Sequence, residues 1–303
     1  MSDDLLPGWS DHIIETPGGA RIRARRGGSG PPLLLMHGNP QSHVIWHRMA
    51  PELTKHFDCV AIDLRGYGDS TGPGDLSLPY YDPADYTFRA MAQDAVAVMA
   101  HFGHTRFNVC GHDRGGRVTH RMGLDHPEAV IRAAIMDILP QRHVYANITK
   151  DWAMKSWHWV FMPQEEGLPE RMMESVPADW FMARKIGKKG MGMSIFDPRA
   201  VAEYVRCFTP KTIRASCADY RACATLDLAM DNADYEAGKR LACPVHVLWG
   251  RLSHTQAVFD NVLPVWADYV TGPLSGRAVR SGHYLAEHAP EEVLAEILPF
   301  FQG

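Results

Sequence analysis

The feature that most constrains this chain is a series of short, almost wholly apolar runs, each ending in a loop rich in glycine or aspartate. Leu33–Met36 runs into His37-Gly38-Asn39-Pro40, Asp58–Ile62 into Asp63-Leu64-Arg65-Gly66-Tyr67-Gly68, and Phe107–Cys110 into Gly111-His112-Asp113-Arg114-Gly115-Gly116. Ala133–Met136 ends at Asp137, Val245–Leu248 at Trp249-Gly250, and Ala278-Val279 leads to His283. Strands apolar on both faces are buried on both faces, which points to a parallel sheet covered by helices and not to an alternating, half-solvated one. Helix-like segments, such as 87–101 and 290–301, lie among these runs. The pattern predicts an α/β fold: a mostly parallel central sheet with helices on both faces. Reactive groups in such sheets gather in loops at the carboxyl ends of the strands. Each motif above sits in such a loop.

One region breaks the rhythm. From 139 to 236 the chain becomes rich in Trp, Met and Tyr, with several helix-like stretches and no buried strand pattern. It is expected to be an inserted helical cap over the strand ends, dividing the chain into a core domain (1–138 and 237–303) and a cap subdomain (139–236). The 303 residues carry 31 Lys and Arg against 35 Asp and Glu, a net charge of −4, which leaves no basic surplus for neutralising nucleic-acid phosphates. The apolar share of 46 % excludes a disordered chain. Six cysteines without a CxxC pair predict buried free thiols. An acidic N-terminus and the lack of any long apolar stretch predict a cytoplasmic protein with no membrane partner.

Gly111-His112-Asp113-Arg114-Gly115 has the frame of the strand–turn–helix nucleophile turn, G-x-S-x-G, with aspartate in the serine position. The flanking glycines suit a turn whose strained backbone leaves no space for neighbouring Cβ atoms. The alternative is a structural Asp113 capping the helix that begins at Arg114. Replacing serine by a carboxylate changes the reaction class. A carboxylate displaces a leaving group from saturated carbon and becomes an ester, which water must then hydrolyse with the help of a general base and an oxyanion site. His283, after the last predicted strand, is the candidate base. Asp137 is the candidate group to orient it, preferred over the loop after Leu248; its alternative is again a helix cap. The oxyanion donors are expected to be the backbone N–H groups of Asn39 and Arg114.

Together with His37-Gly38-x-Pro40, Asp63-x-Arg65-Gly66-x-Gly68-x-Ser70 and Ser281-Gly282-His283-Tyr284, the aspartate turn resembles the α/β-hydrolase fold over nearly the whole chain. Within that fold, Asp113-Arg114-x-x-Arg117 is similar to the haloacetate (fluoroacetate) dehalogenase family. The resemblance implies that Arg114 and Arg117 grip a substrate carboxylate, and that His158, Trp159 and Tyr220 hold the departing halide. It also implies a homodimer, a small haloacid and water as reaction partners, and glycolate plus halide as products. Arg114 and Arg117 lie three residues apart, a spacing that can bring both to one helix face. Asn39 departs from the family pattern, which has an aromatic residue there, and leaves halide preference and pocket polarity open. An epoxide hydrolase using the same Asp113, His283 and Asp137 is the nearest alternative; paired arginines do not suit a neutral epoxide. A ligand-binding protein without turnover is a third reading. No metal-ligand spacing and no dinucleotide fingerprint appear, so no cofactor is expected.

Overall fold

The computed structural model describes residues 4–165, 167–187, 192–258 and 262–303. Eight strands form one sheet in the order β1-β2-β4-β3-β5-β6-β7-β8. They are β1 Ser10–Glu15, β2 Arg21–Gly28, β3 Pro32–Met36, β4 Asp58–Ile62, β5 Phe107–His112, β6 Val130–Met136, β7 Val245–Gly250 and β8 Leu274–Val279. From β4 to β8 across the sheet every pairing is parallel. Leu33–Met36 of β3 and all of β4 and β5 are buried, as apolar runs sandwiched between helices must be. The parallel arrangement brings the carboxyl ends of β3, β5, β6, β7 and β8 to a single edge of the sheet.

The sequence pattern missed β1 and β2, which pair antiparallel with each other and with β4. Their strand signal is weak because β1 is an edge strand with mostly solvated side chains and β2 carries four arginines. The Arg26 guanidinium is satisfied by Asp58, with Nε–Oδ1 at 2.8 Å.

The predicted helices occur at Phe88–His101 and Pro290–Gln302. The first starts where Thr87 Oγ1 accepts a hydrogen bond from the Ala90 N–H, satisfying a donor left open at the helix start. Between β6 and β7 the described residues of 141–236 form helices and connecting turns without a strand. This helical cap is tied to the core through buried polar contacts: Tyr67 donates to Asp219, Tyr204 donates to Glu287, and the Phe88 N–H donates to Asp227. All six cysteines are free, five of them buried. Among the described residues no helix is long and apolar enough to cross a membrane.

Candidate active site

β5 ends in a turn that forces Asp113 into an unusual conformation, φ 49° and ψ −112°, before the helix Arg114–Asp125 begins. The close approach of chain segments explains the glycines. A Cβ on Gly111 would lie 2.3 Å from the Gly115 carbonyl oxygen, and one on Gly115 would lie 2.4 Å from that of Met36. Strain of this kind persists only where packing enforces it, and it turns the Asp113 side chain away from the helix it precedes. That carboxylate does not cap the helix. Instead Oδ1 accepts the backbone N–H of Asn39 at 2.9 Å, and Oδ2 lies 3.6 Å from His283 Nε2. The loop after β3 can come this close because residue 38 is glycine: a Cβ there would meet Asp113 Cβ at 2.4 Å.

On its other side His283 contacts Asp137, with Nδ1 2.6 Å from Oδ2. Asp137 Oδ1 accepts from the Gly250 N–H and the Ser253 hydroxyl, both at 2.8 Å. The two loops considered from sequence therefore cooperate: β6 supplies the carboxylate and the loop after β7 supplies the donors that fix it. Neither Asp113 nor Asp137 is spent as a helix cap. His112 Nε2 contacts the His283 carbonyl oxygen at 2.7 Å and holds that segment in place.

Electrostatics keep both carboxylates charged. Burial opposes ionisation of Asp113, but the hydrogen bond and charge of His283, helped by His112 and Arg114, hold its carboxyl well below the usual carboxylate range. Burial likewise opposes the charge on Asp137, and His283, His254 and the Gly250 N–H outweigh it. Burial, with the neighbouring charge of His283, pushes His112 down to about 4, so its ring is neutral at physiological pH.

Asp113 and His283 face a small cavity with about 30 Å³ of space for the centres of water-sized molecules, room for only a few heavy atoms. Its wall includes Asn39, Arg117, Asp137, His158 and Trp159 from the sequence reading. Tyr220 lies behind that wall, its ring edge-on to His158 at 5.7 Å and to Trp159 at 6.2 Å between centroids. The Arg117 guanidinium stacks 4.5 Å over the Trp159 ring and donates to the Leu139 carbonyl.

Arg114 departs from the expectation of two arginines side by side in the pocket. It is fully buried and is not among the described lining residues. Asp219 binds it bidentately, Nε to Oδ2 at 2.8 Å and the second contact at 2.5 Å, while Phe88 and Tyr220 flank it at 4.8 and 3.9 Å. The physical reason is that a guanidinium so deeply buried needs a charge partner, and the cap supplies one 105 residues along the chain. Its backbone N–H stays at the start of the helix, beside Asp113.

Sequence reasoning missed Lys185, His254 and Tyr284, all of which line the cavity. The His254 ring is 5.8 Å from that of His283. Neither Lys185 nor His254 carries a local motif; Tyr284 stood within Ser281-Gly282-His283-Tyr284 and drew no notice.

Comparison with known proteins agrees with this geometry. A family model for the alpha/beta hydrolase fold matches residues 31–161. The chain is 36 % identical over 298 residues to fluoroacetate dehalogenase of Burkholderia sp, covering 98 % of this chain and 95 % of that one. It belongs to the haloacetate dehalogenase family of α/β hydrolases. The chain is also 29 % identical to soluble epoxide hydrolase of Corynebacterium sp. (strain C12), over 93 % of this chain and 94 % of that one. A solved structure from Nostoc sp PCC 7120, described as an alpha/beta hydrolase, superposes with a TM-score of 0.91 at 42 % identity, covering 97 % of this chain and 98 % of that one. The protein is a hydrolase, and the site just described is where its fold concentrates reactive groups.

Proposed function

We propose that the chain hydrolyses haloacetates, fluoroacetate or chloroacetate, to glycolate and halide through an ester on Asp113. The observation that carries this reading is a charged aspartate at the strained turn, facing a few-atom cavity whose wall holds two cationic side chains, Arg117 and Lys185. A small anion with a saturated electrophilic carbon suits that combination.

In the first step Asp113 Oδ2 forms a C–O bond to the halogen-bearing carbon as the C–X bond breaks, and the halide leaves with the electron pair. Arg117 holds the substrate carboxylate beside the nucleophile. His158 and Trp159 carry N–H donors on the cap side for the departing ion, and Tyr220, expected from sequence to join them, packs behind their rings. In the second step water attacks Cγ of Asp113 and gives a proton to His283 Nε2, steadied by Asp137. Oδ1, already hydrogen-bonded to Asn39, takes the developing negative charge, and the Arg114 N–H is the second candidate donor. As the intermediate collapses the leaving glycolate oxygen takes that proton back from His283, and the Asp113 carboxyl gives its own proton to solvent, which regenerates the carboxylate. The Arg114 side chain contributes indirectly, by fixing Asp219 and the Tyr220 ring.

The epoxide-hydrolase likeness supports a second reading, in which the same Asp113 opens a neutral epoxide. Such a reaction needs cap hydroxyls to protonate the epoxide oxygen. The tyrosine among the described lining residues is Tyr284, on the core, while the Tyr204 hydroxyl is engaged by Glu287.

The test is halide release from fluoroacetate and chloroacetate by the wild type and Asp113→Asn. Release from either acid, abolished in the variant, supports the reading. Turnover of a small epoxide with neither acid processed would replace it with the second.

A further inference from the structure

The cavity holds a cation that neither the turn motif nor the arginine pair accounts for. Lys185, on the helix Ala178–Ile186 of the cap, is only 6 % exposed and lines the same cavity as Asp113 and Arg117. Its Nζ lies 5.9 Å from the centroid of the Tyr220 ring and 5.8 Å from that of Trp157. The Tyr220 ring in turn touches those of His158 and Trp159. Arg117 reaches the same cavity from the core helix that starts beside Asp113, and its guanidinium stacks on Trp159.

Resting on the haloacetate reading above, we propose that Lys185 is a specificity-determining residue that stabilises the departing halide and biases the site toward fluoride. Displacement at saturated carbon is in line. With the attacking oxygen on the core floor, the leaving atom exits toward the cap wall, where Lys185, His158 and Trp159 stand. Bond breaking places a full negative charge there, in a water-poor space where a nearby positive charge acts strongly. The lysine ammonium is a compact point charge. Fluoride leaves with the most concentrated charge and from the strongest carbon–halogen bond, so it depends on such a group more than chloride does. Arg117, committed to the carboxylate that both substrates share, gives no such discrimination.

The experiment measures kcat and KM for fluoroacetate and chloroacetate in the wild type, Lys185→Met, Lys185→Gln and Lys185→Arg. In the two neutral variants kcat on fluoroacetate should fall about 100-fold, the loss typical of removing one transition-state donor, and kcat on chloroacetate by less than about tenfold. The charge-conserving arginine variant should keep most of the fluoride activity. Chloroacetate turnover doubles as a folding check, and the glutamine variant serves if methionine prevents folding. An equal fall in kcat for both acids, or a rise in KM with kcat unchanged, would overturn the proposal by assigning Lys185 to the carboxylate or to packing. If the wild type releases halide from neither acid, the haloacetate reading itself has failed. Chloride titration of tryptophan fluorescence then decides Lys185 separately: weaker binding in Lys185→Met upholds a halide site, and equal or absent binding refutes it.

Discussion

Replacing Asp137 by Asn should separate the two chemical steps, and the structure says why. Asp137 Oδ1 accepts two hydrogen bonds, from the Gly250 N–H and the Ser253 hydroxyl. An asparagine must keep its carbonyl oxygen at that position, because turning the amide would aim its N–H₂ group at the Gly250 N–H, forfeiting a bond worth roughly 0.5–1.5 kcal/mol and setting donor against donor in a buried site. The amide nitrogen is then left facing His283 Nδ1, where the carboxylate now sits at 2.6 Å. That nitrogen can only donate, so Nδ1 must accept and the imidazole proton moves to Nε2, toward Asp113. His283 then has no lone pair free for water. Enforcing the wrong tautomer in a triad of this kind costs about 10⁴-fold in rate, or roughly 5.5 kcal/mol of barrier.

That loss should fall on ester hydrolysis alone, since displacement of halide by Asp113 needs no base. Rapid-quench measurement should show a burst of halide approaching one per site, followed by near-zero turnover. The quenched protein should carry the mass of one added carboxymethyl group on Asp113. Steady-state turnover within about tenfold of wild type would refute the tautomer reasoning, which requires the much larger loss. Loss of the burst itself would refute the division of labour between Asp113 and His283.

Three further outcomes follow from the geometry. Gly38→Ala should keep the fold by far-UV circular dichroism yet lose at least about 100-fold in kcat/KM, because the added Cβ displaces the Asn39 N–H from the Asp113 oxygen that becomes the oxyanion; near-normal activity would refute this. Asp219→Ala should lower stability to urea by about 3–5 kcal/mol by leaving Arg114 buried without its counter-charge, and a loss under about 1 kcal/mol would contradict the pairing. Burial raises Glu287 from 4.5 to about 8 against the hydrogen bonds of Tyr204 and Gln41, so the folded state binds a proton that the unfolded state gives up. Its contribution is full below pH 4.5 and is lost as pH rises through about 8. Glu287→Gln should therefore show a smaller drop in melting temperature than wild type between about pH 5.5 and about pH 8.5; an equal drop would refute the assignment.

The strands of the parallel sheet were legible because burial on both faces leaves a continuous apolar run, as in Leu33–Met36 and Val245–Leu248. β1 and β2 were not, because antiparallel strands near a sheet edge carry charges that read as surface loop. The aspartate turn could be recognised since its glycines are demanded by local backbone crowding, within five residues of sequence. His283 and Asp137 were found from their place after strands, an inference that works because parallel strands share one reactive edge.

Arg114 marks where local reasoning stops. Spacing three residues apart on one helix predicts a shared face for Arg114 and Arg117, and says nothing of a carboxylate arriving from Asp219 on the cap. That partner claims the Arg114 guanidinium and leaves Arg117 to the cavity. Lys185 and His254 were invisible for a related reason: their roles come from the cavity they line, and a cavity is a property of surfaces meeting, not of neighbours in sequence. The sequence by itself determined the parallel part of the sheet, the edge where the strand-end loops gather and an aspartate at the strained turn, since these rest on periodic burial and on turn geometry within a few residues. Only the tertiary structure decided which cations face the substrate space and which are neutralised behind it, because that depends on charges brought together from chain segments a hundred residues apart.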